Sequence, residues 1–368
     1  MKTNRSLFLS LFLIITMMLM GQTYHLLIGT YTDTGKSKGI YSYSINMNSG
    51  IFKPIQVVSG ISNPSYINIA ADGKFVYAVS ESEKGSAACA FAFNRLIGKL
   101  KPLNCSLTQS AGPCYISSTT KNVFTANYGG GSLSVFGRKS DGSLTPVLQV
   151  IQHVGKSINR DRQNEPHVHQ VYPTPDGKYL LVNDLGTDKI SIYHYHPESY
   201  KNVLTVYDSL TVKLGSGPRH ATFSRDGRKL YLVHEIDATV SVLSYHNGKL
   251  QIIQQTTVDR NDGKINRAAD VHLSPDERFA YITNRGTANT ISCFAVGKDG
   301  KLNFINQVPT EGDGPRNFAI TPDGKYIFVG HQFSNNIVIF KRNEKSGKLI
   351  DTGKRIELGA PVCLKFYK

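Results

Sequence analysis

The stretch that decides the fold runs from Pro166 to Tyr195: PHVHQVYPTPDGKYLLVNDLGTDKISIYHY. It holds three short runs rich in Val, Ile, Leu and Tyr. A Pro-Asp-Gly-Lys turn at 175–178 separates the first two, and Gly186-Thr187-Asp188 separates the second from the third. Short runs bounded by Gly, Asp, Asn and Pro read as strands of antiparallel hairpins. The same plan recurs about every 50 residues, and it can be counted seven times. First runs open at Pro64 (PSYINIA), Pro113 (PCYISS), Pro166, Pro218 (PRHATFS), Ala268 (AADVHLS), Pro315 (PRNFAIT) and Pro361 (PVCLKF). A fourth run closes each unit, as in LKPLNCSLT from Leu100 and LQIIQQTTV from Leu250. No segment beyond the N-terminal leader keeps a helical period.

Four strands per unit and seven units predict an all-β chain folded as a seven-bladed β-propeller. The order of the runs adds a closure rule. The chain enters on a second-type strand, LLIGTYT from Leu26, and ends on a first-type strand, PVCLKF. The C-terminal strand should therefore complete the first blade, which removes an open sheet edge and ties down a terminus. A closed ring needs no linker, so residues 23–368 are expected to form a single domain.

The N-terminus follows another rule. Lys2 and Arg5 precede an apolar stretch from Leu7 to Met20, followed by Gly21, Gln22 and Thr23. A basic start with an apolar core too short for a comfortable membrane span predicts a signal peptide over residues 1–22 and an exported, periplasmic or secreted protein. The alternatives are an uncleaved anchor, or a cytoplasmic protein if the leader is not used. No Cys follows the apolar core, which argues against a lipid anchor.

The formal net charge is +15, or +13 without Lys2 and Arg5. Such a balance suits nucleic acid, an anionic surface or a small anionic ligand. The lysines, however, fall in blade turns such as Lys74, Lys178 and Lys325, as a solvated rim would have them. With export, this argues against nucleic acid and for a small anionic partner. A monomer or weak oligomer, not inserted in a membrane after leader cleavage, is the expected state.

None of the five cysteines has metal-ligand spacing. Cys89 and Cys105 could face each other across a hairpin turning near Ile97-Gly98 and be bridged in an oxidising compartment; the other reading is a pair of small buried thiols. Cys114 and Cys363 fall on first-type strands.

In a propeller the first strand of each blade lines the central channel, and the second runs antiparallel to it. Starts of first strands and ends of second strands therefore share one rim. That rim collects His167, His169, Arg219, His220, Arg267, Asp270, Arg316 and Asn317 from the first strands. From the second strands it collects Glu81, Asn127, Asn183, Asp184, Glu235, Asn284, Arg285, His331 and Gln332. A ring of His, Arg and Glu at one mouth suits an anionic or carbonyl-bearing small molecule. His167 and His169 are two apart on a strand, hence on one side. They could serve as general base, as substrate hydrogen bonds or as structural groups, and two His without a fixed carboxylate partner are weak evidence for a metal. Arg219 and Glu235 could form a buried ion pair, or an anion clamp and an acid-base group. A carboxylate in a partly desolvated channel can have a raised pKa. Arg285 and Arg316 are candidate anion binders, or partners of Asp270, Asp184 or backbone carbonyls. Asn127, His220 and Asn183 complete the candidate substrate contacts. The run NYGGGS from Asn127 opens no helix and reads as a tight loop whose backbone could approach a ligand. The sequence has no Gly-x-Ser-x-Gly elbow.

These motifs carry a family resemblance. GTYT from Gly29, TANYGGGSLSVF from Thr125, PHVHQV, GPRHATFS with LVHE, AADVHLSPD with Asn284-Arg285-Gly286, and GPRNFAITPDGKY resemble the propeller-type lactonase family. That family includes bacterial 6-phosphogluconolactonases and is similar to fungal carboxy-cis,cis-muconate cyclases. The resemblance spans the expected mature chain. It implies a hydrolase that opens a sugar lactone, most readily 6-phosphogluconolactone, with no cofactor and no metal. It also implies a His (167 or 169), Arg219 and Glu235 as the catalytic set; the mechanism expected on them is attack of water on the lactone carbonyl, with Glu235 or His167/His169 as base and Arg219 and Arg285 on the oxyanion. A cyclase of a carboxylated lactone and a non-catalytic binding propeller are the rival expectations. One departure stands out: 6-phosphogluconolactone is a cytoplasmic intermediate, whereas the leader points outward.

Overall fold

The computed structural model of the chain describes residues 23–82, 85–260 and 265–367. The expected signal peptide over 1–22 lies outside the described residues. The described chain forms seven four-stranded antiparallel sheets arranged as a seven-bladed propeller. Blades are numbered here by their innermost strands. These are Pro361–Tyr367, Ile67–Ile69, Pro113–Ser118, Val168–Pro173, Pro218–Phe223, Asn266–Leu273 and Pro315–Ile320, for blades 1 to 7. The predicted closure is present. The last strand pairs antiparallel with the first, Thr23–Thr30, in the register Leu26 with Phe366 and Ile28 with Leu364.

The burial pattern follows the layers. Second strands such as Tyr179–Asp184 are buried throughout because blades pack on both their faces. Outer strands such as Ile51–Ser59 are largely exposed or half-buried. The core is therefore divided between adjacent blades. Leu26 and Ile28 of blade 1 pack with Phe328, Ile337 and Ile339 of blade 7, and Tyr231 and Val233 of blade 5 with Ala280 and Ile282 of blade 6. Each such side chain contributes about 1.5–3 kcal/mol by leaving water.

The Pro-Asp-Gly turns hold the rim away from the candidate site. In blade 4, Asp176 accepts from the Thr174 hydroxyl at 2.6 Å and the Lys178 amide at 3.1 Å. Gly177 takes the left-handed conformation, φ 67°. Cys89 and Cys105, which the sequence left open, oppose each other in register on the two outer strands of blade 2 and are joined by a disulfide.

Candidate active site at one mouth of the channel

One structural device builds the mouth. Besides a slip at Val362 in blade 1, the register between innermost and second strands slips at the start of the innermost strand in blades 3, 4, 5, 6 and 7, between Pro113 and Tyr115, Val168 and Gln170, Pro218 and Ala221, Ala268 and Val271, and Pro315 and Asn317. The residues in these slips are Cys114, His169, Arg219 with His220, Ala269 with Asp270, and Arg316. A bulge leaves its extra residue out of the ladder and re-aims the side chain. Five of the eight first-strand residues expected on this rim, His169, Arg219, His220, Asp270 and Arg316, thus sit where strand alternation fails.

Glu235 is the centre of the site. Its Oε2 accepts from Arg219 Nε at 2.8 Å, and its Oε1 from Arg162 Nη2 at 2.7 Å. Arg285 Nη2 lies 2.8 Å from Oε2 as an ion pair, off the direction of a hydrogen bond. Arg219 is 1% exposed and Glu235 6%. Burial alone would raise the Glu235 carboxyl, but the guanidiniums of Arg285, Arg219 and Arg162 outweigh it and hold the group well below the usual carboxylate range. The expectation of a raised pKa at this carboxylate is therefore corrected. Arg219 is fixed further by its Nη1, which donates to the Ala269 carbonyl at 2.5 Å. Burial, then Arg219 and Arg316, lower the Arg285 guanidinium from its ordinary value, yet a guanidinium stays charged at neutral pH.

Arg162 was not legible in the sequence as a site residue. It lies in the segment between blades 3 and 4, which carries no strand period. Buried Gln163 anchors that segment by donating to the Leu185 carbonyl at 2.8 Å, as does Ser157 by donating to Asp188 at 2.5 Å. Arg162 also donates to the Tyr128 hydroxyl at 3.3 Å.

The two histidines meet Tyr128 differently. His167 stacks flat on its ring, centroids 4.4 Å apart, with Nδ1 at 3.1 Å from the Tyr128 carbonyl. A carbonyl only accepts, so Nδ1 carries the proton and Nε2 presents a lone pair. His167 is half-buried and precedes the strand. His169 is buried, its ring edge-on to Tyr128 and to His220, with Nδ1 3.8 Å from Cys114 Sγ. Burial, then Arg219 and His220, push its imidazole well below the ordinary histidine value, so it is neutral. Burial, then Glu81, raise the Cys114 thiol to about 12, which removes it as a nucleophile at neutral pH.

The remaining candidates divide. Arg316 belongs to the mouth: it lies 5.4 Å over the Tyr31 ring, with Nη1 3.5 Å from Gln332 Oε1. Glu81 is there too, accepting from Ser65 Oγ at 2.5 Å. Burial raises its carboxyl pKa against the pull of that hydrogen bond and Arg316. Asn127, Asn183 and His220 were expected to touch substrate, and the structure commits them elsewhere. Asn127 is fully buried in its own blade, donating to Ser132 and Ser134 and accepting from Thr125. Asn183 donates to Gln170 at 3.0 Å and to the Arg219 carbonyl at 3.1 Å, so it positions the Arg219 backbone. His220 Nδ1 is bonded to Asp270 at 2.9 Å deeper in the channel.

Four guanidiniums, of Arg162, Arg219, Arg285 and Arg316, thus share the mouth with two carboxyls, Glu235 and Glu81. The balance is positive whether or not Glu81 is ionised. Among the described residues no group of three or more His, Cys, Asp or Glu converges as a metal site. The arrangement can bind an anion, polarise a carbonyl oxygen and accept a proton at a neutral imidazole.

Known proteins share this architecture. The family described as lactonase, 7-bladed beta-propeller, matches residues 25–366. The 6-phosphogluconolactonase of Formosa agariphila is 34% identical over 348 residues, covering 92% of this chain and 98% of the relative. That of Bacillus subtilis is 31% identical over 345 residues, covering 92% and 97%. The solved structure of the periplasmic gluconolactonase of Pseudomonas aeruginosa superposes with a TM-score of 0.90 at 36% identity, covering 94% of this chain and 99% of that one. The propeller, its closed ring and its matching relatives establish that the chain belongs to the lactonase family of seven-bladed β-propellers.

Proposed function

We propose that this protein is a lactone hydrolase that opens a sugar lactone, with 6-phosphogluconolactone as the first substrate to consider. The observation that carries the reading is the Glu235 cluster, in which one carboxylate orients three arginines in a mouth of net positive charge. Lactone opening needs a donor set aimed at the carbonyl oxygen as it gains charge, and a base for the attacking water. Arg219 is tied to Glu235 and to a backbone carbonyl, so its role is to hold the frame. Arg285 is held by Glu235 through Nη2 and by the Arg267 carbonyl through Nε at 3.3 Å, which leaves its Nη1 for the developing oxyanion. Arg316 and Arg162 flank it and suit the phosphate or hydroxyl end of the sugar.

The base is assigned to His167. Its tautomer is set by the Tyr128 carbonyl, its plane by the stacked ring, and its position is half-buried, within reach of water. Glu235 is a poor base because three guanidiniums stabilise its charged form. His169, neutral and buried, shapes the floor without adding charge. General base catalysis contributes about 10²–10⁴ in rate, so His167→Gln should lower kcat by that order with a smaller change in KM. The measurement is proton release from 6-phosphogluconolactone, corrected for spontaneous opening, with His169→Gln alongside. Equal turnover of wild type and His167→Gln would transfer the base to another group; absence of turnover in the wild type would sink the substrate.

One observation favours a second substrate. The basic start and apolar run of residues 1–22 read as an export leader, and the Pseudomonas relative is named a periplasmic gluconolactonase. Glucono-δ-lactone lacks the phosphate and would use the same carbonyl machinery. Comparing kcat/KM for the two lactones separates them, because only the phosphorylated one should lose affinity in Arg316→Ala. Export of this chain belongs to the same proposal. Detection of the shortened protein in the periplasm or medium supports it, and a full-length cytoplasmic protein refutes it.

A further inference from the structure

The opposite mouth of the channel holds a second cavity of about 400 Å³. Its wall includes Asn68, His272, Phe318, Thr321, Lys365 and Phe366, from the innermost strands of blades 2, 6, 7 and 1 and the turn after blade 7's. Nothing in the lactone chemistry uses these residues. The cavity carries donors short of acceptors. Lys365 is half-buried, and its ammonium donates to the Tyr66 hydroxyl at 3.2 Å and sits 4.7 Å over that ring. Among the described residues no carboxylate is within ion-pair distance of it. Asp270 shares the channel, but its oxygens are already taken by His220 at 2.9 Å, His272 at 2.9 Å and Asn317. Asn68 uses its carbonyl to accept from Ser118 at 2.6 Å, and its amide nitrogen makes no hydrogen bond among the described residues. His272 gives Nε2 to Asp270 and stands edge-on to Phe318 at 4.8 Å.

A half-buried ammonium with one hydrogen bond, to a phenol, and no carboxylate at ion-pair distance gains from an anion or water that completes it. Water alone could do so in an open polar notch. This cavity is instead walled by the half-buried apolar side chains of Phe366, Ile320, Leu273 and Ile69. A charged end beside an apolar wall selects a ligand of the same two-part character. We propose that this mouth is a second binding site, separate from the arginine mouth, for a small carboxylate with an apolar or aromatic body. The carboxylate takes Lys365 and the Asn68 amide, and the ring or chain lies against Phe366 and Ile320. A bare phosphate would satisfy the charge and leave the apolar wall wet, so it should bind more weakly.

The test uses benzoate as probe and inorganic phosphate as comparison, titrated calorimetrically into the whole protein. Saturable benzoate binding, weaker for phosphate, is expected. Lys365→Met should weaken benzoate on the order of tenfold or more, the effect of losing a charge-assisted bond. Lys365→Arg should keep most of the affinity. Turnover of the lactone should be the same in Lys365→Met and in the wild type, and saturating benzoate should not inhibit it. Phe366→Leu serves as a second variant that leaves the charge in place and should weaken benzoate but not phosphate. Unchanged benzoate affinity in Lys365→Met and Phe366→Leu would overturn the site. So would benzoate binding that competes with the lactone and disappears in Arg316→Ala, because the anion would then occupy the arginine mouth.

Discussion

Glu235 balances one negative charge against three guanidiniums, and this makes it both a structural and a functional residue. Removing one partner of a buried ion cluster leaves uncompensated charge and typically costs about 3–5 kcal/mol. Glu235→Gln should therefore be destabilised by that order in urea unfolding, and its turnover should fall by about 10²–10³ because the oxyanion donors lose their alignment. Adding Arg285→Met to that variant should restore part of the stability but none of the activity. Recovery of both together would mean that the cluster is only a scaffold. The buried histidines make a pH prediction at the same scale. His220, His234 and His331 have their pKa lowered from 6.5 to about 3, about 4 and about 4, in each case first by burial. The unfolded chain thus binds more protons than the fold between those values and 6.5. Stability is complete above pH 6.5 and is lost as pH falls toward 4. Glu235, with its lowered pKa, acts in the same direction below 4.5. The midpoint of urea unfolding should be level from pH 7 to 8 and decline steadily from 6.5 to 4; a flat profile would contradict the burial of these rings.

Elements place these residues through two local devices. The first is the Asp-Gly turn on the far rim. Gly177 has φ 67° and a Cβ there would meet nothing within 4 Å, so Gly177→Ala exposes the left-handed conformation as the sole cost, about 1–2 kcal/mol. Gly142 has φ 84° and its added Cβ would run into the Phe75 ring, so Gly142→Ala should lose clearly more. Equal losses in the two variants, measured by denaturant midpoint, would show that the ring relaxes freely. The second device is the bulge at the start of the innermost strands. Turn residues announce themselves in sequence, because Pro, Asp and Gly have backbone preferences of their own. The bulges are marked less evenly: Pro directly precedes the slip at Cys114, Arg219 and Arg316, but Val168 and Ala268 precede it at His169 and Ala269, and the residues within the slips share no one type. Alternation placed His167 and His169 on one side of a strand, and both do reach Tyr128. Yet His167 precedes the strand and His169 lies in its slip, so they differ in burial and in charge environment.

The whole molecule depends on closure of the ring. The strand Pro361–Tyr367 is the innermost of blade 1, and it pairs along Thr23–Thr30 from His25 to Thr30. Ending the chain at residue 360 would leave that strand edge unpaired and one wall of the channel absent. Such a protein should be recovered as aggregate or should unfold without cooperativity; a truncated protein with wild-type melting would refute the closure as a source of stability. The sequence by itself determined the number of blades, the strand order, the closure and the rim on which Arg219 and Glu235 meet. These follow from local periodicity and from the fixed direction of successive strands, which need no knowledge of distance. Tertiary structure alone decided the rest. It brought Arg162 to Glu235 from a segment with no period, joined Cys89 to Cys105, turned Asn127 and Asn183 into their own hydrogen-bond networks, and lowered rather than raised the Glu235 pKa. The bridge and the Asn127 bonds depend on register and side-chain direction within one blade, whereas the Arg162, Asn183 and Glu235 outcomes depend on which groups from different blades come within a few ångströms in a buried space, where charge and hydrogen bonding act strongly. That arrangement is a property of the closed ring and of no single repeat.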